Sequence, residues 1–195
     1  MTFLFRQLLS LFRTTSKTNE MRHSYDASVR HLQKLGLLRS NDHPPMPHQV
    51  PQPEDEEPLG ISFYRTFLQN GVDLGNLTIP RTFFGRSEIR EVSFKNTDLT
   101  ESNLRWNDFI DVDFTEAVLA QADLRASLFT NVKFIRADLR NADMRRSDYE
   151  DCDFDSAIMD GAILTHDQAA DMDLSDQQVN VIKWAADEGP EPSGG

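Results

Sequence analysis

From Val72 to Leu164 a large, mostly apolar residue recurs at every fifth position, nineteen times in succession, with no insertion or deletion. These centres are Leu74, Ile79, Phe84, Ile89, Phe94, Leu99, Leu104, Phe109, Phe114, Leu119, Leu124, Phe129, Phe134, Leu139, Met144, Tyr149, Phe154, Met159 and Leu164. Two residues before each centre stands a small or β-branched residue, as Ala122 before Leu124 and Ala137 before Leu139. The residue between is Asp, Asn, Ser, Thr or Glu in most repeats. A helix repeats every 3.6 residues and a strand every second residue, so neither keeps one face apolar at this period. The pattern predicts a solenoid whose sides are each one repeat long.

A slower period sets the number of sides. Like stacks on like at steps of twenty residues: Val72, Val92, Val112, Val132 and Cys152 precede one column of centres, and Ala117, Ala137 and Ala157 precede the next. A further column is preceded by Ser87, Asn107, Ser127 and Ser147. Steps of twenty residues mean four sides per coil, a square tube of nearly five coils.

The pattern of a small residue, Asp or Asn, Leu or Phe and two free positions resembles that of the pentapeptide-repeat family, over about half of the chain. That resemblance implies an all-β solenoid, a right-handed quadrilateral β-helix, with the centre and the small residue before it pointing inward. The core is then built from Phe94, Phe114, Phe134 and Phe154, from Leu99, Leu119 and Leu139, from Leu104 and Leu124, and from Phe109 and Phe129. Burying each such side chain stabilises by roughly 1.5–3 kcal/mol. The expected inward place of Cys152, in line with the valines, gives it a structural role.

The flanks divide by composition. Residues 1–39 carry a net charge of +5 and read as a basic helical arm, with Met21, Tyr25, Val29 and Leu32 on one face of a helix over 21–38. The apolar run 3–12 is interrupted by Arg6 and is too short to span a bilayer. Residues 3–13 therefore read as a helix docked on protein, as an interfacial helix in peripheral contact with a membrane, or as untranslated sequence ahead of Met21. Residues 40–58 hold six of the nine prolines and the acidic run Glu54 to Glu57, which predicts a stiff solvated linker crossed by few contacts. Residues 59–71 are aromatic but off register and read as an N-terminal cap, since solenoids must hide their open ends. Thr165 with Gln168 and Ser175 with Gln178 are two capping boxes that mark a helical C-terminal cap over 165–186. The second helix should lay Val179, Ile182 and Ala186 over the last coil and cover the outward Ile158 and Ile163. Residues 187–195 read as a disordered tail.

The net charge of −12 argues against direct nucleic-acid binding, which needs a basic footprint. One cysteine and no disulfide framework fit a reducing cytoplasm, consistent with a bacterial protein. His43 and His48 bracket prolines but lack further ligands at metal spacing, and no cofactor motif is present, so neither metal nor cofactor is expected. The carboxylates recur at repeat spacing instead of converging, which argues against an enzyme.

The outer walls carry the candidate chemistry. One wall bears Arg105, Arg125 and Arg145 in a ladder with Arg86 and Arg146, against Asp123 and Asp143, for a net charge of +3, with Trp106 at its edge. Its neighbour bears Glu88, Glu91, Asp108, Asp111, Asp148, Glu150 and Asp151 against Arg90, for a net charge of −6, with Ile110 and Leu128 facing outward among the carboxylates. Exposed apolar side chains ringed by charge suit a protein interface. The expected function is a non-catalytic interaction module, an adaptor or immunity protein presenting these walls to an unidentified partner with a basic surface. Either capped end could also serve a homodimer. The family resemblance implies an alternative, an acidic DNA mimic that modulates DNA gyrase and confers quinolone resistance. The acidic wall suits that role and the arginine wall does not.

Overall fold

The structure, a computed structural model, describes residues 22–49 and 60–186. Residues 1–21, 50–59 and 187–195, which include the apolar run, the acidic run and the expected tail, lie outside the described residues. No helix among the described residues is long and apolar enough to cross a membrane.

The chain winds as a right-handed quadrilateral β-helix of about six turns. Coils stack in parallel at steps of twenty residues, as in Glu88 on Asp108, Asp108 on Leu128 and Leu128 on Asp148. The same step links Ser93 to Asp113 and Asp98 to Val118 on the other walls. One wall is a five-stranded sheet of β2 (Phe67–Leu68), β4 (Glu88–Arg90), β5 (Asp108–Ile110), β6 (Leu128–Thr130) and β7 (Asp148–Glu150). The centres fill the tube: Phe94, Phe114 and Phe134 stack with ring centroids 5.0 and 5.5 Å apart, and Phe109, Phe129 and Tyr149 stack at 5.0 and 4.9 Å. Every corner turns on a residue two places after a centre, held at positive φ, for example Glu101 (56°), Asp111 (56°) and Ala126 (53°).

The buried serine and asparagine column has a hydrogen-bonding reason. At the corner leading into the five-stranded wall, Asn107 Nδ2 donates to the carbonyl of Phe84 at 3.0 Å, Ser127 Oγ to that of Leu104 at 2.9 Å, and Ser147 Oγ to that of Leu124 at 2.7 Å. Each side chain also accepts an amide from the coil before: Ser87 N–H donates to Asn107, Asn107 N–H to Ser127, and Ser127 N–H to Ser147. A buried backbone group left unpaired costs about 1–3 kcal/mol, so polar residues are retained here inside an apolar tube.

The N-terminal boundary differs from the sequence expectation. Residues 60–71 are not a cap; from Ile61 on they add two sides to the tube, which join the sides of Leu74 and Ile79 in one coil, so the tube runs slightly past the nearly five coils expected. Strand β1 (Ser62–Tyr64) pairs with β3 (Phe83–Gly85), and β2 with β4, at a step of twenty-one residues. One extra residue between Leu68 and Leu74 breaks the register, and Asn70 (φ 66°) and Gly71 (φ 68°) absorb it as two consecutive left-handed residues.

The cap proper is helix α1 (Tyr25–Lys34), started by Ser24, whose side chain accepts from Ala27 N–H. Tyr25, Val29 and Leu32 are buried in the same core as the solenoid centres. Ser28 Oγ accepts the Thr78 amide at 2.9 Å, and His23 N–H donates to the Asn76 carbonyl at 2.8 Å. The following segment is not a solvated linker over its described part. Tyr25 Oη donates to the Pro45 carbonyl at 3.1 Å and Arg81 Nη1 to that of Pro47 at 3.0 Å. Pro47 is buried against Gly60, where an added Cβ would lie 2.2 Å from the Pro47 ring.

The C-terminal cap contains both capping boxes, at α2 (His166–Ala169) and α3 (Asp176–Val181). Their glutamines do more than cap. Gln168 Nε2 donates to the carbonyls of Met144 (2.9 Å) and Ser147 (2.8 Å), and Gln178 Nε2 to those of Phe154 (2.8 Å) and Ala157 (3.2 Å), replacing backbone donors of a missing coil. The expected apolar face of the second helix is corrected accordingly. Gln178 is its buried residue, Val179 and Ala186 are exposed, and Ile182 is buried only after the helix has ended. The chain then returns as β9 (Lys183–Trp184), which pairs with β8 (Ile163–Leu164) and leaves Ile158 exposed.

Candidate interaction surfaces

Strand pairing orders the acidic wall into three outward columns. Phe67, Glu88, Asp108, Leu128 and Asp148 form the first, Arg90, Ile110, Thr130 and Glu150 the second. Glu91, Asp111, Asn131 and Asp151 form the third, at the left-handed corner positions. Leu128 separates Asp108 from Asp148, and Asn131 separates Asp111 from Asp151 while donating to the Asp111 carboxylate at 2.5 Å. Neutral residues thus interrupt the carboxylates in the later coils, which limits repulsion there, whereas Glu88 stands directly against Asp108 and Glu91 precedes Asp111 in its column. Ile110 and Leu128 are half-buried between charged neighbours, while Asp108, Asp111, Asp148, Glu150 and Asp151 are exposed.

The two charged walls differ in how their charge is used. On the acidic wall Glu88 pairs with Arg90, and no other carboxylate there has an ion pair among the described residues. On the arginine wall both carboxylates are taken. Arg125 grips Asp123 through Nε (2.8 Å) and Nη2 (2.6 Å), and Arg145 grips Asp143 in the same way (2.9 and 2.7 Å). Across coils, Arg105 approaches Asp123 at 3.6 Å and Arg125 approaches Asp143 at 3.4 Å. Burial alone would raise the Asp143 carboxyl; the hydrogen bonds from Arg145 and the charges of Arg145 and Arg125 hold it below the usual carboxylate range. The Arg125 guanidinium is raised chiefly by its bond to Asp123.

Arg105 stands where Asn103 replaces the aspartate of the later coils. Its Nε is buried without a hydrogen bond, and its guanidinium lies 4.2 Å from the ring of Trp106. Trp106 itself is exposed, as is Arg146. The Arg105, Arg125 and Arg145 ladder is therefore largely an intramolecular zipper.

Sequence reasoning missed two aromatics beside these walls. Phe67 extends the first acidic column at 53% exposure, and Tyr64 lies on the arginine wall at 51% with Arg65 over its ring. The step of twenty-one from Leu68 to Ile89 was the signal, hidden by the register break. Cys152 is half-buried, with its sulfur 3.4 Å from the carbonyls of Phe129 and Glu150. Burial pushes its thiol up to about 11, unlike a nucleophile or a metal ligand. Among the described residues no group of three or more His, Cys, Asp and Glu could hold a metal ion, and His43 and His48 are both exposed.

The family model for pentapeptide repeats matches residues 70–105, 108–146 and 133–166 in eight copies, beginning after the two displaced sides. No curated protein matches the sequence with significance. Among solved structures, HetL, a pentapeptide repeat protein involved in heterocyst differentiation regulation in the cyanobacterium Nostoc, aligns with a TM-score of 0.50 and 18% identity. That alignment covers 53% of this chain and 48% of HetL, so the chain spans about half of HetL's length. A pentapeptide repeat protein of the Arabidopsis thaliana thylakoid lumen aligns at 28% identity over 57% of this chain and 71% of that one, with a TM-score of 0.32. Full-length QnrB1, a plasmid-mediated fluoroquinolone resistance protein, aligns at 14% identity over 63% and 75%, with a TM-score of 0.25. The unbroken period of apolar centres, the square tube they fill and the eight matched copies make this chain a member of the pentapeptide-repeat family.

Proposed function

We propose that this protein is a non-catalytic interaction module whose acidic wall docks a protein partner with a basic surface. The observation that carries the reading is the uncompensated charge. Exposed carboxylates at Asp108, Asp111, Asp148, Glu150 and Asp151 have no ion pair among the described residues, while both aspartates of the neighbouring wall are held by arginines. The repeat requires only a polar outward residue at these positions, and repulsion among them works against the fold, so partner binding gives the charge a use. Complementary charge speeds encounter and excludes wrong partners. Leu128, Ile110 and Phe67 supply apolar contact between the charges.

The test is affinity capture from the native cell with the wild-type chain and with a variant carrying Asn at Asp108, Asp111, Asp148 and Asp151. The partner should be retained by the first and lost by the second; equal retention would move the docking surface elsewhere. A wall that substitutes for duplex DNA would instead inhibit supercoiling by purified DNA gyrase. No inhibition is expected, because the adjoining wall is an arginine ladder where a duplex would present a second row of phosphates.

A further inference from the structure

We infer that the unpaired edge of the last coil, from Tyr149 to Ser156, accepts an extended basic segment of a partner protein as an added parallel strand. In the interior coils, alternate backbone groups point to the next coil and are bonded there. The Asn107 carbonyl accepts from Leu128, Asp111 N–H donates to Thr130, the Val112 carbonyl accepts from Lys133, and Phe114 N–H and Glu116 N–H donate to Lys133 and Ile135. The last coil presents the same groups with no coil beyond them. Gln168 takes the Ser147 carbonyl. Tyr149 N–H and C=O, Asp151 N–H, the Cys152 carbonyl, Phe154 N–H and Ser156 N–H have no hydrogen-bond partner among the described residues. Strand β7 is correspondingly the edge of its sheet. The other two walls are closed, by Val181 accepting from Gly161, by Lys183 N–H of β9 donating to Ala162 and by Ala185 N–H just after it donating to Leu164.

Two further observations say that the edge is open and what it fits. Val92, Val112 and Val132 are at most 1% exposed, whereas Cys152, the next member of that column, is half-buried. Crevices of about 350 Å³ and 1020 Å³ separate the edge from the cap on its two walls. Asp148, Glu150 and Asp171 line the first, Asp153, Asp155 and Asp173 the second, and neither is lined by Lys, Arg or His.

An added strand would satisfy the backbone groups, and its outward side chains would continue the columns headed by Asp148 and Glu150, where lysine or arginine meets a carboxylate. A second copy of this chain would bring an equally acidic edge to an acidic edge, so charge selects a different, basic chain. The inference rests on the docking reading above and adds the main-chain contact.

The experiment uses the full chain and a terminally blocked peptide alternating threonine and lysine, with two controls: its twin N-methylated at alternate backbone amides, and a threonine–glutamate counterpart. Amide exchange is followed by NMR, and alkylation of Cys152 by mass. In the free protein the amides of Tyr149, Asp151, Phe154 and Ser156 should exchange fast, while those of Asp148 and Asp153, bonded to Ser127 and Val132, exchange slowly. The lysine peptide at saturation should slow the four edge amides and Cys152 alkylation by roughly tenfold or more, and neither control should. Equal protection by the N-methylated twin would overturn edge pairing while leaving the acidic-wall reading intact. Edge amides already slow in the free protein, or no protection by the lysine peptide, would also overturn it. The wall reading is judged separately, by capture with only Asp108 and Asp111 changed to Asn.

Discussion

Nineteen non-glycine residues hold positive φ among the described residues, most of them at the corner two places after a centre. A left-handed conformation costs an L-residue roughly 1–2 kcal/mol, so the corners are held by what surrounds them. Ala126 (φ 53°) donates its amide to the Arg145 carbonyl of the next coil. Replacing it by Gly should relieve the corner by about 1–2 kcal/mol and lose about 0.5–1 kcal/mol to unfolded-chain entropy, so the melting midpoint should hold or rise slightly. Ala126→Val, β-branched and stiff, should lower stability by about 1–2 kcal/mol. A valine variant that melts with or above the glycine variant would mean the corner is not left-handed. The core makes a sharper demand. Phe114 is fully buried, stacked between Phe94 and Phe134 and edge-on to Phe109 at 5.7 Å. Phe114→Asp places a carboxylate there with no partner and should cost several kcal/mol, enough to unfold the repeat domain. A cooperative melt with an unchanged midpoint would contradict the inward position. Of the two, Phe114 was legible in the sequence and Ala126 was not: the centres announce themselves by period, but corner positions accept almost any residue type, so Ala126 and Trp106 carry no conformational signal of their own.

At the scale of elements, what the sequence revealed depended on whether a signal was local. The capping boxes at Thr165 and Ser175 are local and were readable, whereas the inward turn of Gln178 depends on the Phe154 and Ala157 carbonyls that await it in the last coil. The amphipathic face of Tyr25, Val29 and Leu32 was equally plain, but its target was not, because the contact bridges some fifty residues from Ser28 to Thr78. The two displaced sides were hidden by a single extra residue before Leu74. Because α1 closes the open N-terminal end, deleting residues 1–59 should destabilise the solenoid, contrary to the independence that a proline-rich linker suggests. Losing the burial of Tyr25, Val29 and Leu32 removes roughly 1.5–3 kcal/mol each. The midpoint of the truncated chain should fall at any ionic strength, since the contact is apolar and hydrogen-bonded. An unchanged midpoint in thermal denaturation would show that the helix does not seal the core.

For the whole molecule, the sequence located both charged walls but not their pairing. Net charge per wall can be counted from the repeat, whereas the grip of Arg125 on Asp123 and its approach to Asp143 depend on side-chain geometry across coils. That geometry turns the arginines inward to each other's carboxylates and leaves the acidic wall as the unsatisfied surface. The most direct measurement compares association rates of the captured partner with three proteins: wild type, the four-Asn variant of Asp108, Asp111, Asp148 and Asp151, and a variant with Arg105, Arg125 and Arg145 changed to Gln. At low ionic strength the Asn variant should associate roughly tenfold more slowly or worse, with its melting midpoint unchanged or raised, because steering charge is lost and no ion pair is broken. The Gln variant should associate at the wild-type rate while melting lower, since its ladder holds the coils together. An Asn variant that associates like wild type, beside a Gln variant that does not, would contradict the assignment of the acidic wall.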